Sequence, residues 1–365
     1  MNLLIRFLRE PQLAADWGAE QWNVFLPLAR SAGLLGRCLS LLEQRGLLDA
    51  APQRLVDQLQ GAVNQTRYVQ GQAMRELRAV AGIMAREKVP LLALKGVAYL
   101  AAGLPPSGWR NLGDIDLLVP EQDIDRAEHA LLAAGWMASA EFDSYDQHYY
   151  RDWMHEVPPL VHRDRQTEVD LHHNLAPPVS RIRIDAASLW EQAETVSDAY
   201  GLTVQVLSPP DILLHNAVHL FMNDELRGGL RDVVDFRDLF EHFVRVAPDF
   251  EQRLLARSRL LGCDRPLYYA VSTAHSLLWL TASPEFLAAV DAHAPAGPKK
   301  NLMAWLFEQV LAPQRLRSRR SDLSNQLLFV RSHWVRMPPT MLARHLLHKL
   351  FKPRKPPLPT EELPG

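Results

Sequence analysis

The sequence has little of three features that would each point to a definite class of protein. Cys38 and Cys263 are the only cysteines in 365 residues, which excludes a disulfide scaffold and any CxxC motif. Acidic and basic residues nearly balance, 42 against 40, so no overall field attracts nucleic acid. No apolar run reaches the roughly 18 residues of a membrane-spanning helix, and the N-terminus lacks a signal-peptide pattern. We expect a cytoplasmic protein without membrane contact, in which both cysteines are buried.

The hydrophobic pattern changes along the chain and divides it into four regions. Residues 1–88 have helical periodicity, which is clearest at residues 72–88. Residues 89–207 mix short apolar runs with helical segments, and residues 208–350 are helical again. Residues 351–365 are rich in proline and have almost no apolar content, which predicts a disordered tail. We therefore predict a central α/β core between a helical N-terminal region and a helical C-terminal domain.

Residues 89–207 predict strands and helices in alternation. An apolar strand at residues 91–94 leads into a helix of about seven residues, and a loop rich in glycine and proline connects it to a second strand. A helix at residues 121–134 follows, and then short strands near Tyr149, near Leu160 and at residues 167–172. This order predicts the α+β class, with a mixed sheet and flanking helices.

The strand that begins near residue 115 contains the tripeptide Asp114-Ile115-Asp116. Side chains two residues apart on a strand point to the same face, so the two carboxylates project together while Ile115 enters the core. Two such carboxylates repel each other and require a cation between them, and Mg²⁺ prefers oxygen ligands of this kind. The tripeptide therefore indicates phosphoryl or nucleotidyl transfer.

A second strand, at residues 167–172, offers a third carboxylate. Strand alternation places Glu168, Asp170 and His172 on one face. A third carboxylate beside Asp114 and Asp116 would complete a site for two Mg²⁺ ions. Either Glu168 or Asp170 can supply it.

The order of the motifs LKG, Arg110, Gly-Asp-Ile-Asp-Leu-Leu-Val and Asp-Leu-His resembles the polymerase-beta-type nucleotidyltransferase superfamily. It resembles more closely an uncharacterised bacterial nucleotidyltransferase family with the same ordered signature. The resemblance covers about residues 20–240 and implies a nucleotidyltransferase fold and transfer of a nucleotide from ATP or another NTP to an acceptor that the sequence does not specify. It implies that Asp114, Asp116 and Asp170 are catalytic metal ligands for two Mg²⁺ ions. Lys95 and Gly96 would then hold the triphosphate, with Arg110 as a second cationic group.

The chain departs from the family pattern at two positions. Val97 stands where the superfamily has a serine, and His173 stands where the closer family often has a tryptophan. One alternative is therefore a degenerate module that binds nucleotide or a partner without turnover. Another is a toxin-type enzyme that modifies tRNA, for which the sequence offers a basic C-terminal stretch at Arg315, Arg317, Arg319 and Arg320.

Other polar residues have simpler interpretations. Lys95 could be an ordinary lysine at a strand end, and Arg110 could pair with Asp114. His215 and His219 are four residues apart on a predicted helix, but without the glutamate of a zinc-binding HExxH motif we interpret them as core histidines. A helix with Asp232, Asp235 and Asp238 reads most simply as a solvated charged face, although Asp235 could contact the substrate.

Overall fold

The computed structural model describes residues 2–138, 153–198, 201–222, 226–313, 318–338 and 340–342. Four α-helices precede the first strand in these residues, at Leu3–Arg9 (α1), Ala19–Ser31 (α2), Leu35–Gln44 (α3) and Gln53–Arg86 (α4). The helix predicted at residues 72–88 is the second half of α4, which runs unbroken through 34 residues and ends at Arg86. The long α4 links the N-terminal helices to the central sheet.

A mixed sheet of seven strands lies at the centre of the described residues. The strands are Leu92–Ala93 (β1), Ile115–Leu118 (β2), Trp136–Ala138 (β3), Leu160–His162 (β4), Glu168–His172 (β5), Glu194–Ser197 (β6) and Thr203–Val206 (β7). Their spatial order is β3-β4-β5-β2-β1-β7-β6. The two central strands β2 and β5 are parallel, whereas β1 is antiparallel to β2. The structure confirms the predicted α+β class.

Two short helices and the second half of α4 cover one face of this sheet. Helix α5 (Lys95–Ala101) follows β1, and α6 (Ile124–Ala133) follows β2 after a 3-10 turn at Glu121–Asp123. Leu77 and Val80 of α4 pack with Leu117 of β2 and Leu131 of α6 in one buried apolar cluster. Burial of such side chains contributes about 1.5–3 kcal/mol each, so this cluster fixes β2 against its neighbours.

Apart from β6 and β7, the regular structure in the described residues after β5 is helical. Its helices are Ala186–Glu191 (α7), Pro209–Met222 (α8), Leu230–Val246 (α9), Phe250–Leu260 (α10), Asp264–Leu278 (α11), Pro284–Asp291 (α12), Pro298–Leu311 (α13) and Arg319–Arg336 (α14). They share a second apolar cluster with α1, α2 and α3, in which Phe7 and Phe25 lie together with Phe236 and Phe240. None of the described helices is long and apolar enough to cross a membrane.

The structure contains strands that the sequence pattern did not predict. Strands β6 and β7 form an antiparallel pair, and β7 adds to the sheet beside β1 in parallel orientation. The predicted strands near Leu160 and at residues 167–172 are present as β4 and β5. The strand expected near Tyr149 and the tail at residues 351–365 lie outside the described residues.

Candidate active site

Three carboxylates meet where the central strands β2 and β5 run side by side. The parallel register places Asp116 directly beside Asp170, and Asp114 lies just before β2. One oxygen from each of the three lies within 4.8 Å of the others. Ile115 is buried between the two aspartates, as the strand alternation predicts. Glu168, also in β5, is outside this group of three, which favours Asp170 as the third carboxylate.

The three carboxylates repel one another in the absence of a cation. Burial and the negative charge of Asp116 together raise the pKa of Asp170 to about 8. The charge of Asp116 is also the main reason why the pKa of Asp114 is raised. Oxygen Oδ1 of Asp170 is buried and has no hydrogen-bond partner in the described chain. A cation bound to these oxygens would relieve both the repulsion and the unpaired oxygen.

Asp116 is the most buried of the three and stays charged. Its Oδ1 accepts hydrogen bonds from Lys95 Nζ at 2.5 Å and from His172 Nε2 at 3.2 Å. Burial alone would favour the neutral acid, but the positive charges of Lys95 and His172 hold the pKa of Asp116 well below its usual range. The structure therefore shows Lys95 paired with a carboxylate of the group, a contact that neither sequence interpretation of this lysine anticipated.

Glu156 joins the same chain of charges, and the sequence analysis did not identify it. Its Oε2 lies 3.1 Å from Nδ1 of His172. Burial opposes charge on both groups, but hydrogen bonds to Asp116 and Glu156 raise the pKa of His172 to about 9. The partner histidine lowers the pKa of Glu156 to about 2 despite its burial. Lys95, Asp116, His172 and Glu156 thus form one continuous network of alternating charge.

The turn between β1 and α5 brings backbone close to the carboxylates. Lys95 has a positive φ of 46°, which a residue with a side chain rarely adopts. A Cβ on Gly96 would collide with the side chain of Leu112 and would lie 3.6 Å from Arg110 Nε. A side chain at this position would therefore require the side chain of Leu112 to move. Val97 is buried against the sheet, so the position where the superfamily has a serine offers no hydroxyl.

Arg110 is fixed from the C-terminal helices and not by Asp114. Its Nη1 lies 3.0 Å from Asp232 and forms a closer ion pair with Asp235, both in α9. Its guanidinium also lies over the ring of Tyr99, 5.8 Å from the centroid. Atom Nε of Arg110 is buried without a hydrogen-bond partner in the described chain. Because that atom lies next to Gly96, Arg110 presents one free donor to the β1–α5 turn.

The interpretation of the α9 aspartates as a solvated charged face is wrong. Asp235 and Asp238 are buried, and Asp232 lies close to Arg110 and 3.8 Å from Arg231. Asp238 pairs with Arg37 of α3 at 2.9 Å. These aspartates form ion pairs with Arg110 and Arg37, which lie outside α9. Their side of α9 is therefore buried, and it connects the loop before β2 to the N-terminal helices.

The remaining candidates are not members of the group of carboxylates. His215 is buried in α8 and His219 is partly buried, and the charge of Lys95 together with burial lowers the pKa of His219 to about 4. His173 is partly buried, and burial is the main reason why its pKa is lowered. In the basic C-terminal stretch, Arg319 and Arg320 are exposed at the start of α14, and Arg315 and Arg317 lie outside the described residues.

Comparison with known families gives one match. A family described as uncharacterised nucleotidyltransferase matches residues 18–279, about 70% of the chain. A comparison with curated proteins gives no match. The matched residues include the β1–α5 turn, the three carboxylates, Glu156 and α9. The match also agrees with the motif order that the sequence presents, from Lys95-Gly96 to the carboxylates of β2 and β5. The chain therefore belongs to this family of uncharacterised nucleotidyltransferases and is a transferase.

Proposed function

We propose that the protein transfers a nucleoside monophosphate from an NTP, such as ATP, to an acceptor hydroxyl, with release of pyrophosphate. The observation that supports this most directly is the close group of Asp114, Asp116 and Asp170, in which Asp170 has a buried unpaired oxygen. Asp116 and Asp170 are in register on adjacent parallel strands, and with Asp114 close by the three carboxylates are costly unless they bind a cation. Because the chain belongs to a nucleotidyltransferase family, that cation would serve nucleotidyl transfer.

The donor set suits Mg²⁺, which prefers carboxylate oxygens together with substrate phosphates. Asp114, Asp116 and Asp170 would hold it, as one ion or two. Bound there, Mg²⁺ would neutralise the negative charge of the phosphate oxygens and so favour attack on the α-phosphorus. The exposed Asp114 is open to an incoming ligand, whereas Asp116 is held in place by Lys95 and His172.

The turn after β1 supplies the groups for the phosphates. Gly96 lies in the first turn of α5, where backbone N–H groups would face the phosphates, and the side chain of Leu112 packs on its Cα. Nε of Arg110 offers one N–H next to Gly96, while Nη1 of the same residue stays on Asp232 and Asp235. Lys95 Nζ adds a positive charge at the other end of the turn. These three groups replace the serine hydroxyl that Val97 lacks.

Asp170 is the group that we assign to the acceptor proton. The acceptor oxygen forms a bond to the α-phosphorus, the bond to the β-phosphate oxygen breaks, and pyrophosphate leaves with that electron pair. The acceptor hydroxyl gives its proton to the oxygen of Asp170 that does not hold the cation.

The test uses NTPs labelled at the α-phosphate, Mg²⁺, and a cell extract as a source of acceptors. We expect wild-type protein to transfer label and Asp116→Asn and Asp170→Asn to lose at least about 100-fold of that rate, as removal of a principal electrostatic group does. The matched control is Glu168→Gln, which removes a carboxylate from the same strand and should keep the rate within about twofold of wild type. Equal transfer by Asp116→Asn and wild type would refute the proposal, and loss in Glu168→Gln would refute the choice of Asp170.

A second candidate, nucleotide binding without turnover, is favoured by Val97, which is buried and leaves the turn without its hydroxyl. Calorimetry with NTP and Mg²⁺ separates the two candidates. A binding module binds NTP with the three carboxylates intact and releases no pyrophosphate during a long incubation. An enzyme binds NTP and releases pyrophosphate once an acceptor is present.

A further inference from the structure

Beside the carboxylate group lies a second cluster of a different chemical kind. His155, Glu156 and His172 each offer one ligand atom, and these atoms lie within 4.8 Å of one another. His155 and Glu156 precede β4, and His172 ends β5. The proposed nucleotidyl transfer uses no atom of His155. The cluster therefore needs an explanation of its own.

The backbone holds the three residues in fixed positions. Glu156 forms an isolated antiparallel bridge with His172. The amide of His173 donates to the carbonyl of His155 at 2.8 Å, and the amide of Val157 donates to the carbonyl of Leu171 at 3.0 Å. Hydrogen bonds on both sides of the cluster thus fix its geometry before any ligand binds, which lowers the entropic cost of binding.

His155 has a buried side-chain nitrogen that a bound ligand would satisfy. Its side chain is 7% exposed, and its Nδ1 is buried without a hydrogen-bond partner in the described chain. The rings of His155 and His172 are 5.4 Å apart between centroids. Burial lowers the pKa of His155 to about 3, so the imidazole is neutral and keeps a lone pair. A buried imidazole nitrogen without a partner is unfavourable, and a bound metal would remove that cost.

His172 connects this cluster to the carboxylate group in the way that metal-binding histidines do. Its Nδ1 faces Glu156 at 3.1 Å, and its Nε2 lies 3.2 Å from Asp116. A histidine that binds a metal through one nitrogen usually donates the N–H of the other to a carboxylate, which fixes the ring. A metal in place of the proton on Nδ1 leaves the Nε2–H bond to Asp116 intact.

We infer that His155, Glu156 and His172 form a binding site for a divalent transition metal, Zn²⁺ by its ligand preference, next to the carboxylate group. Two imidazoles and one carboxylate are a ligand set that binds Zn²⁺ well, whereas Mg²⁺ takes oxygen ligands. The metal would tie the segment before β4 to the end of β5 and fix the ring of His172 against Asp116. This site does not depend on the proposed nucleotidyl transfer.

The test titrates Co²⁺, a coloured substitute for Zn²⁺, into full-length protein that has been stripped with a chelator and then given excess Mg²⁺. We expect one Co²⁺ per chain with the visible absorption of a low-coordinate nitrogen and oxygen site, and its displacement by one Zn²⁺. His155→Ala should weaken binding at least tenfold, and Glu156→Gln should do so as a second variant. His173→Ala is the matched control, because it removes the adjacent histidine and should leave the spectrum unchanged.

Asp114→Asn separates this site from the carboxylate group and should keep the Co²⁺ spectrum. Absence of visible absorption and of bound Zn²⁺ in the wild type would overturn the inference. Loss of the spectrum in Asp114→Asn, with retention in His155→Ala, would also overturn it, since the metal would then lie on the carboxylates. If His155→Ala does not fold by circular dichroism, the wild-type spectrum and Glu156→Gln decide. The metal titration does not depend on transfer activity, so its outcomes can be interpreted even if the protein shows no nucleotidyl transfer.

Discussion

Replacement of Asp170 by asparagine should make the metal-free protein more stable at alkaline pH. The pKa of Asp170 is raised from 3.8 to about 8, first by burial and then by the charge of Asp116. The folded protein therefore keeps a proton there that the unfolded chain loses above about pH 4. The contribution of this group to stability falls as pH rises from about 4 to about 8, and it is unchanged below that window.

The size of the effect follows from the same shift. About four pH units at about 1.4 kcal/mol each give an upper limit of about 6 kcal/mol at pH 8 and above. Asp170 is only partly buried, so water relaxes much of this cost, and we expect about 2 kcal/mol. Asp170→Asn removes the charge and keeps the shape. Its unfolding temperature should exceed that of the wild type by a few degrees at pH 8.5.

The assay is thermal unfolding in EDTA at several values between pH 5 and pH 9. The quantity to follow is the difference in Tm between Asp170→Asn and the wild type, because other buried groups such as His219 titrate equally in both. That difference should grow with pH, and Glu168→Gln should show a much smaller one. Added Mg²⁺ should raise the Tm of the wild type and leave Asp170→Asn unchanged. A difference that is constant across the pH range would refute the argument that burial and the charge of Asp116 raise the pKa of Asp170.

Three further predictions concern the groups around the carboxylates. Lys95→Met leaves Asp116 with one cationic partner, so the free energy of unfolding in EDTA should fall by about 3 kcal/mol. Urea unfolding measures this loss, and added Mg²⁺ should restore part of it. Arg110→Ala leaves Asp235 charged and fully buried, so the free energy of unfolding should fall by about 3–5 kcal/mol. The double variant Arg110→Ala with Asp235→Asn should lose less of this free energy than Arg110→Ala alone. Gly96→Ala pushes the side chain of Leu112 away from the turn beside Arg110, so we expect the KM for NTP to rise at least tenfold with little change in Tm. An unchanged KM would count against the proposed turn.

The sequence contains enough information to predict the carboxylate group. Strand alternation places Asp114 and Asp116 together, and the motif order indicates Asp170 as their third partner. Only the structure shows that β2 and β5 are adjacent and parallel with Asp116 opposite Asp170. The period of a strand is local and visible in one sequence, whereas register between distant strands is not.

The partners of Arg110 and His172 could not be predicted for a related reason. Arg110 pairs with Asp232 and Asp235, more than 120 residues away, and no local spacing encodes such a contact. Glu156 lies in a single bridge and not in a strand, so no periodic pattern marks it. Strand β6 is mostly exposed and has no apolar face to recognise. Local chemistry thus identified the acidic residues, and the cationic and tertiary contacts that control them came from the fold.

Those cationic contacts also relate the observed pairing of Lys95 with Asp116 to the predicted role of Lys95 as a phosphate ligand. Nζ of Lys95 now balances the charge of Asp116, which is buried and would be costly to leave alone. A cation bound by Asp114, Asp116 and Asp170 would neutralise Asp116 in its place, and Lys95 would then be free to leave the ion pair. The residue adopts a left-handed φ at the start of α5, next to Gly96, so its ammonium group lies at the turn where the triphosphate would bind. Under the proposed function, Lys95 pairs with Asp116 before the cation and the nucleotide bind, and it pairs with the triphosphate once both are bound.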